Sequence, residues 1–219
     1  LERMLDDDSL RLRAAEVLEP IYTLLGDTRA LERLSELFAT YLADVHERIV
    51  RLRKVAELRI ALGEPKGALE ALARAVRLAV AEGELPDLLD LVEAHVEQHK
   101  AQRDLIDLYR EVCDQILDTR VQERVLLQIA KEAYAIGDRD VARDYYRRVL
   151  DNTNDHLTAL EALEKIYAEG REQESLLEIY SRRATLAQRE DRKDDGQRRQ
   201  YLILAGDLCE RELGRADEA

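Results

Sequence analysis

Six apolar or small residues recur at nearly constant spacing along the chain: Leu31, Ala68, Leu105, Ala142, Leu176 and Ala219, separated by 37, 37, 37, 34 and 43 residues. Five positions before each stands Gly26, Gly63, Gly137 or Gly214 in four copies, and Lys100 or Arg171 in the other two. A repeat of this length restricts the chain to architectures that stack one supersecondary unit on the next, because a single unit cannot bury its apolar face alone.

Each unit reads as two helices. Before the anchor, apolar residues fall three and four apart, as in Leu126, Ile129, Ala130, Ala133 and Tyr134, which places them on one helical face. After it comes a second such run, Val141, Ala142, Tyr145, Tyr146, Val149 and Leu150. Between the two, Gly137 is suited to the left-handed residue that ends a helix and Asp138 to capping the next. The pattern predicts helices over 10–25, 28–44, 46–62, 65–81, 86–99, 102–117, 120–136, 139–150, 156–169, 173–189 and 198–213. They group into units of about 10–45, 46–82, 86–118, 120–155, 156–189 and a truncated 198–219. Pro20 falls inside the first helix, where it removes a donor and crowds the preceding turn, so a kink or a break between Glu19 and Ile21 is expected. Pro65 and Pro86 sit near helix starts, where a missing N–H costs nothing.

The anchors alternate between Leu and Ala. Twelve residues upstream, the first five units carry Glu19, Ala56, Glu93, Ala130 and Glu164, with Ala205 matching in the sixth. Two small residues let helix backbones approach closely, whereas a Leu anchor fills a wider gap and its Glu is expected at the solvent edge. Either Glu93 or Ala94 occupies this site in the third unit. The building block is then a two-hairpin module. Gln188 to Arg199 is the longest hydrophilic stretch, and a helical extension ending near Asp194 is expected there.

Composition narrows the function classes. With 9 Gly, 3 Pro and 37% charged residues, the chain has too few breakers for a turn-rich sheet protein, and at 46% hydrophobic it is too apolar for disorder. A formal charge of -13 repels phosphate backbones and anionic membrane surfaces. Cys113 and Cys209 form no paired spacing and read as small buried hydrophobes. No apolar run approaches the ~20 residues of a membrane span, and a cytoplasmic location is expected.

The spacing, the hairpin and the anchors resemble the tetratricopeptide repeat. In the best copy the signature falls on Leu126, Ile129, Ala130, Ala133, Ala142, Tyr146 and Val149; the next copy offers Leu160, Leu163, Tyr167, Leu176 and Tyr180. Earlier copies supply Leu52, Val55, Ala56, Ala68, Leu72 and Ala75, then Leu89, Val92, Val96, Leu105, Tyr109 and Val112. Trp is absent and Asn154 stands where the family has Pro. The resemblance implies an all-α fold, a right-handed superhelical solenoid of antiparallel hairpins, and a role in binding a peptide or helix of a partner protein in a concave groove. Carried over by position, the groove-facing residues are Arg53, Glu57 and Ile60, then Asp90, Ala94 and Glu97, then Leu127, Lys131 and Tyr134, then Glu161, Lys165 and Ala168. Leu127 and Tyr134 are the candidate centre, unless both complete the core. A structural spacer, a self-assembling array paired end to end through the last repeat, and a regulatory module of a larger protein remain alternatives.

Chemistry is sparse. His95 and His99 share a helical face, but the segment reads His-Val-Glu-Gln-His without a third ligand, so a structural role is expected. The acidic run from Asp191 has Lys193 and Leu202 where a calcium loop needs oxygen ligands. No phosphate-binding glycine loop or nucleophile elbow occurs. No enzyme activity, cofactor or metal is expected.

Overall fold

A computed structural model describes residues 1–82, 85–188 and 195–211. Its packing divides the chain into two compact units, Leu1–Gln122 and Glu123–Ala219. Among the described residues every regular element is a helix.

The first unit begins with a 3-10 turn, Glu2–Asp6, followed by α1 (Arg11–Leu25), α2 (Thr28–Tyr41), α3 (Val45–Ala61), α4 (Pro65–Glu82), α5 (Leu85–His99) and α6 (Gln102–Val112). Each helix packs on the next in sequence. The α1–α2 hairpin closes over Ala15, Leu18, Leu34 and Phe38, and Leu52, Val55, Leu89, Val92, Leu105 and Tyr109 continue the buried stripe. The second unit takes most of α7 (Thr119–Ala135), then α8 (Arg139–Asn152), α9 (Leu157–Gly170), α10 (Gln173–Gln188) and α11 (Asp195–Arg211). There α8 packs on α9, α9 on α10 and α10 on α11, around Leu160, Leu163, Ile166 and Tyr167. Both units are tetratricopeptide-like stacks of antiparallel helical hairpins.

The turns explain the five-residue offset. At Gly26, Gly63 and Gly137 the backbone is left-handed, with φ of 66°, 76° and 84°. The glycine N–H bonds back to Thr23, Ile60 or Tyr134, and the following N–H reaches Tyr22, Arg59 or Ala133. These are the paired bonds of a glycine helix stop. Lys100 and Arg171 adopt the same conformation, φ 55° and 56°, despite carrying a Cβ. Asp27 and Asp138 then cap α2 and α8 by accepting from the N–H of Ala30 and Val141.

The structure refines three expectations. Of the kink or break expected at Pro20 the break does not occur, since α1 continues through it; Pro20 is exposed, on a side where solvent can reach the Glu16 carbonyl that loses its donor. The helix over 102–117 stops at Val112 and becomes a 3-10 turn, Cys113–Gln115, where the side-chain amide of Gln122 donates to the Cys113 carbonyl at 3.0 Å. The alternating glutamates reach the solvent edge only in part: Glu19, Glu93 and Glu164 are half-buried and bonded. Ala94 is exposed, so Glu93 holds the inner site. Cys113 and Cys209 are both buried free thiols. The extension towards Asp194, and the anchor Ala219 with its Gly214, lie outside the described residues.

Candidate protein-interaction face

On α3, α5, α7 and α9 the core takes one stripe and the opposite side is largely exposed, as the 3.6-residue period requires. In α3, Leu52, Val55 and Ala56 are buried, while Arg53 is half-buried and Glu57 and Ile60 are exposed. In α5, Leu89, Val92 and Val96 are buried, and Asp90, Ala94 and Glu97 point away from them into solvent. In α7, Lys131 is exposed, Tyr134 lies at the border of exposure and Leu127 is half-buried. In α9, Glu161, Lys165 and Ala168 are all exposed.

Tyr134 is tied down in the second unit. Its hydroxyl donates to Glu169 Oε1 at 3.3 Å, and the same carboxylate pairs with Arg139 at 2.8 Å. Glu161 lies 3.5 Å from Arg183, which bonds Glu164 at 2.7 Å. These contacts hold the outward residues of α9 beside a fixed guanidinium. Leu127 is half-buried, so the pair chosen as a centre divides: Tyr134 is partly exposed, and Leu127 is in part a packing residue.

Sequence reasoning missed a cleft. Glu16 and Glu19 of α1 face Val50, Arg51 and Lys54 of α3 across a depression of 630 Å³ floored by Phe38. Glu19 accepts from Arg51 at 2.5 Å and Lys54 at 2.6 Å. Burial pushes its carboxyl up, but these two hydrogen bonds and the charges behind them outweigh burial and hold it below the usual glutamate range. The Arg51 guanidinium also stacks over Phe38, 4.2 Å from the ring centre. The signal was present in the sequence as Glu19 at a site where Ala56 and Ala130 are small, but the partners lie 32 and 35 residues away.

The two histidines are part of the packing. His95 is 5% exposed, and its Nε2 lies 2.9 Å from the Pro65 carbonyl, so Nε2–H is the donor. Burial pushes its pKa down, more than the Pro65 bond raises it, and His99 adds to the depression. The His99 ring lies 4.5 Å away. Among the described residues no three His, Cys, Asp or Glu side chains are grouped to hold a metal ion, and no helix is long and apolar enough to cross a membrane.

No family model matches the sequence, and no curated protein does. Two solved structures of MamA are similar at 11% and 14% identity; the matches cover 84% and 80% of this chain and 95% and 96% of those chains, with TM-scores of 0.46 and 0.45. A structure described as Podosopora anserina putative kinesin light chain nearly identical TPR-like repeats is 17% identical over 94% of this chain and all of that one, with a TM-score of 0.37. At these scores the likenesses fix no detail of this fold. Its tetratricopeptide-like character lies in the hairpins, the left-handed turns and the buried anchors Ala68, Leu105, Ala142 and Leu176.

Proposed function

We propose that the chain is a protein-interaction scaffold whose outward first-helix positions receive a peptide or helix of a partner protein. The observation that carries this reading is the division of labour on α3, α5, α7 and α9: the core is complete without Glu57, Asp90, Glu97, Lys131, Glu161 and Lys165, which are exposed. Such positions accept variation without cost to the fold, and a binding surface needs that freedom. Arg53, Leu127 and Tyr134 flank them as half-buried or border residues, and the amphipathic Tyr134 ring is a suitable contact at the rim. Within the second unit, the mixture of Lys131 and Lys165 with Glu161 fits a partner segment that carries both charges and an apolar residue. The net charge of -13 argues against a nucleic-acid ligand.

The test is selection of peptides from a random library on the full chain, followed by amide chemical-shift mapping. Selected peptides should perturb the first helices and lose affinity to the charge reversals Glu97→Lys or Lys131→Glu. Shifts confined to α4, α6, α8 and α10 would overturn the reading.

A further inference from the structure

A cavity of 300 Å³ in the second unit is lined by α8 and α10, with Leu163 and Tyr167 of α9 between them. Tyr167 is 1% exposed, and its hydroxyl is buried without a hydrogen-bond partner. Burial pushes its pKa up, against the pull of Arg147 and Arg143, so the group keeps its proton and stands as a donor. Arg143 is taken by Asp140 and Glu172, at 3.1 and 3.4 Å. Arg147 lies over the Tyr167 ring, 5.7 Å from its centre, and pairs with no carboxylate among the described residues. Asp151 also lines the cavity but stands beyond ion-pair reach of Arg147.

The same seam recurs one module earlier without these donors. Counted from the anchors Ala68 and Leu105 in place of Ala142 and Leu176, Arg147 corresponds to Ala73, Asp151 to Arg77, Tyr167 to Val96 and Arg182 to Glu111. Ala73, Arg77 and Glu111 line the equivalent depression, between α4 and α6. There the two charges are spent on each other, through Arg77–Glu111 bonds of 2.9 and 2.8 Å, and Val96 is buried with no polar side-chain atom to satisfy. In the second unit Arg182 turns instead to Glu178 on its own helix, at 2.8 Å. The Tyr167 hydroxyl and the Arg147 guanidinium are thus additions that the packing of this seam does not require, and a buried hydroxyl without a bond needs a reason.

We propose that the seam between α8 and α10 receives an acidic side chain, Asp or Glu, from an extended segment of a partner protein, its carboxylate bonded by the Arg147 guanidinium and the Tyr167 hydroxyl. A carboxylate supplies the acceptor that both donors lack and neutralises a charge that has no partner. The space beyond the cavity favours a segment over a free acid. A second depression of 690 Å³ shares Glu178 and Arg182 with it and continues past Ser181 and Thr185 to Asn154 and Leu186. Ser181 and Thr185 spend their hydroxyl protons on the carbonyls of Leu177 and Ser181, which leaves both oxygens as acceptors for a peptide N–H. This seam lies on second helices, apart from the outward residues of α3, α5, α7 and α9, so either surface can fail without the other.

The test titrates the full chain with two pools of acetylated, amidated heptapeptides, one with Glu fixed at the centre and one with Gln, the other positions being random. The Glu pool should shift the Arg147 Nε–H and the Tyr167 ring resonances, and the Gln pool should not. The net charge of -13 repels an acidic probe overall, so this response reports the local donors. Tyr167→Phe and Arg147→Gln should each weaken binding of the Glu pool about ten-fold or more, the loss of a hydrogen bond to a charged group. Tyr167→Phe should also keep or raise the melting temperature, because the hydroxyl bonds nothing in the free chain. The proposal is overturned if the two pools bind alike or if Tyr167→Phe binds the Glu pool as well as the parent does. A lowered melting temperature in that variant would overturn it too, since the hydroxyl would then be spent inside the fold. Equal shifts from acetate at the same concentration would assign the cavity to a small carboxylate and overturn the partner segment.

Discussion

Within the first unit, the α3–α4 and α5–α6 hairpins solve the same packing problem differently. In α3–α4 the two sites are Ala56 and Ala68, both buried, and the backbones meet through methyl groups. In α5–α6 they are Glu93 and Leu105: the Leu is fully buried, while the Glu is half-buried and accepts from the Tyr109 hydroxyl at 3.2 Å. The turns differ in parallel, Gly63 in the first hairpin and Lys100 in the second, at nearly the same backbone geometry. One hairpin has small residues at both sites. The other needs a larger anchor, a hydrogen bond for its carboxylate and a side chain in a conformation that favours glycine.

Exchange of the two solutions should be costly, and most costly at the carboxylate. Ala56→Glu buries a charge where no tyrosine is placed to meet it, and should lower unfolding free energy by about 3–5 kcal/mol in denaturant titration. If the loss is under about 1 kcal/mol, the two sites are interchangeable and the modular reading fails. Leu105→Ala should cost about 2–5 kcal/mol through lost contact and a cavity, whereas Ala68→Leu should cost about 1–3 kcal/mol by overpacking. Gly63→Ala should cost about 1 kcal/mol, a purely conformational effect, since a Cβ there meets nothing within 4 Å. Lys100→Gly should move the other way and raise the melting temperature slightly, because relief of left-handed strain exceeds the added chain entropy. A lower melting temperature in Lys100→Gly would mean that the Lys100 side chain contributes more than its backbone costs.

The smallest effect separates the hairpins by pH. Burial depresses the pKa of His95, so between its folded value and the unfolded value near 6.5 the unfolded chain binds the extra proton. The His95 contribution is therefore complete above about pH 6.5 and declines as pH falls below it. His95→Gln should flatten that slope in urea titrations at pH 5 and pH 7. An unchanged slope would exclude His95 as its source.

The helices, their turns and the core stripe were legible because each depends on local information. A 3.6-residue period writes Leu126, Ile129 and Ala133 onto one face, Gly26, Gly63 and Gly137 end helices where the hydrophobic period breaks, and Asp138 caps from the adjacent position. Lys100 and Arg171 kept the five-residue offset, but their left-handed conformation is visible only in the backbone. That α1 continues through Pro20 without a break was not legible, because a proline's effect depends on whether its side of the helix meets water or protein.

What only the tertiary structure decided lies about one repeat away in sequence. Glu19 meets Arg51 and Lys54, Arg29 meets Glu64, Glu36 meets Arg74, Arg77 meets Glu111 and Tyr134 meets Glu169, at separations of 32 to 38 residues. These pairs turn charges that look like solvated surface into ties between neighbouring hairpins. The sequence shows the spacing that makes such ties possible, since residues one period apart come to lie side by side. It does not show which of the many carboxylates and guanidinium groups at that spacing point toward each other, because that depends on the rotation of each helix about its axis, and packing alone sets that rotation.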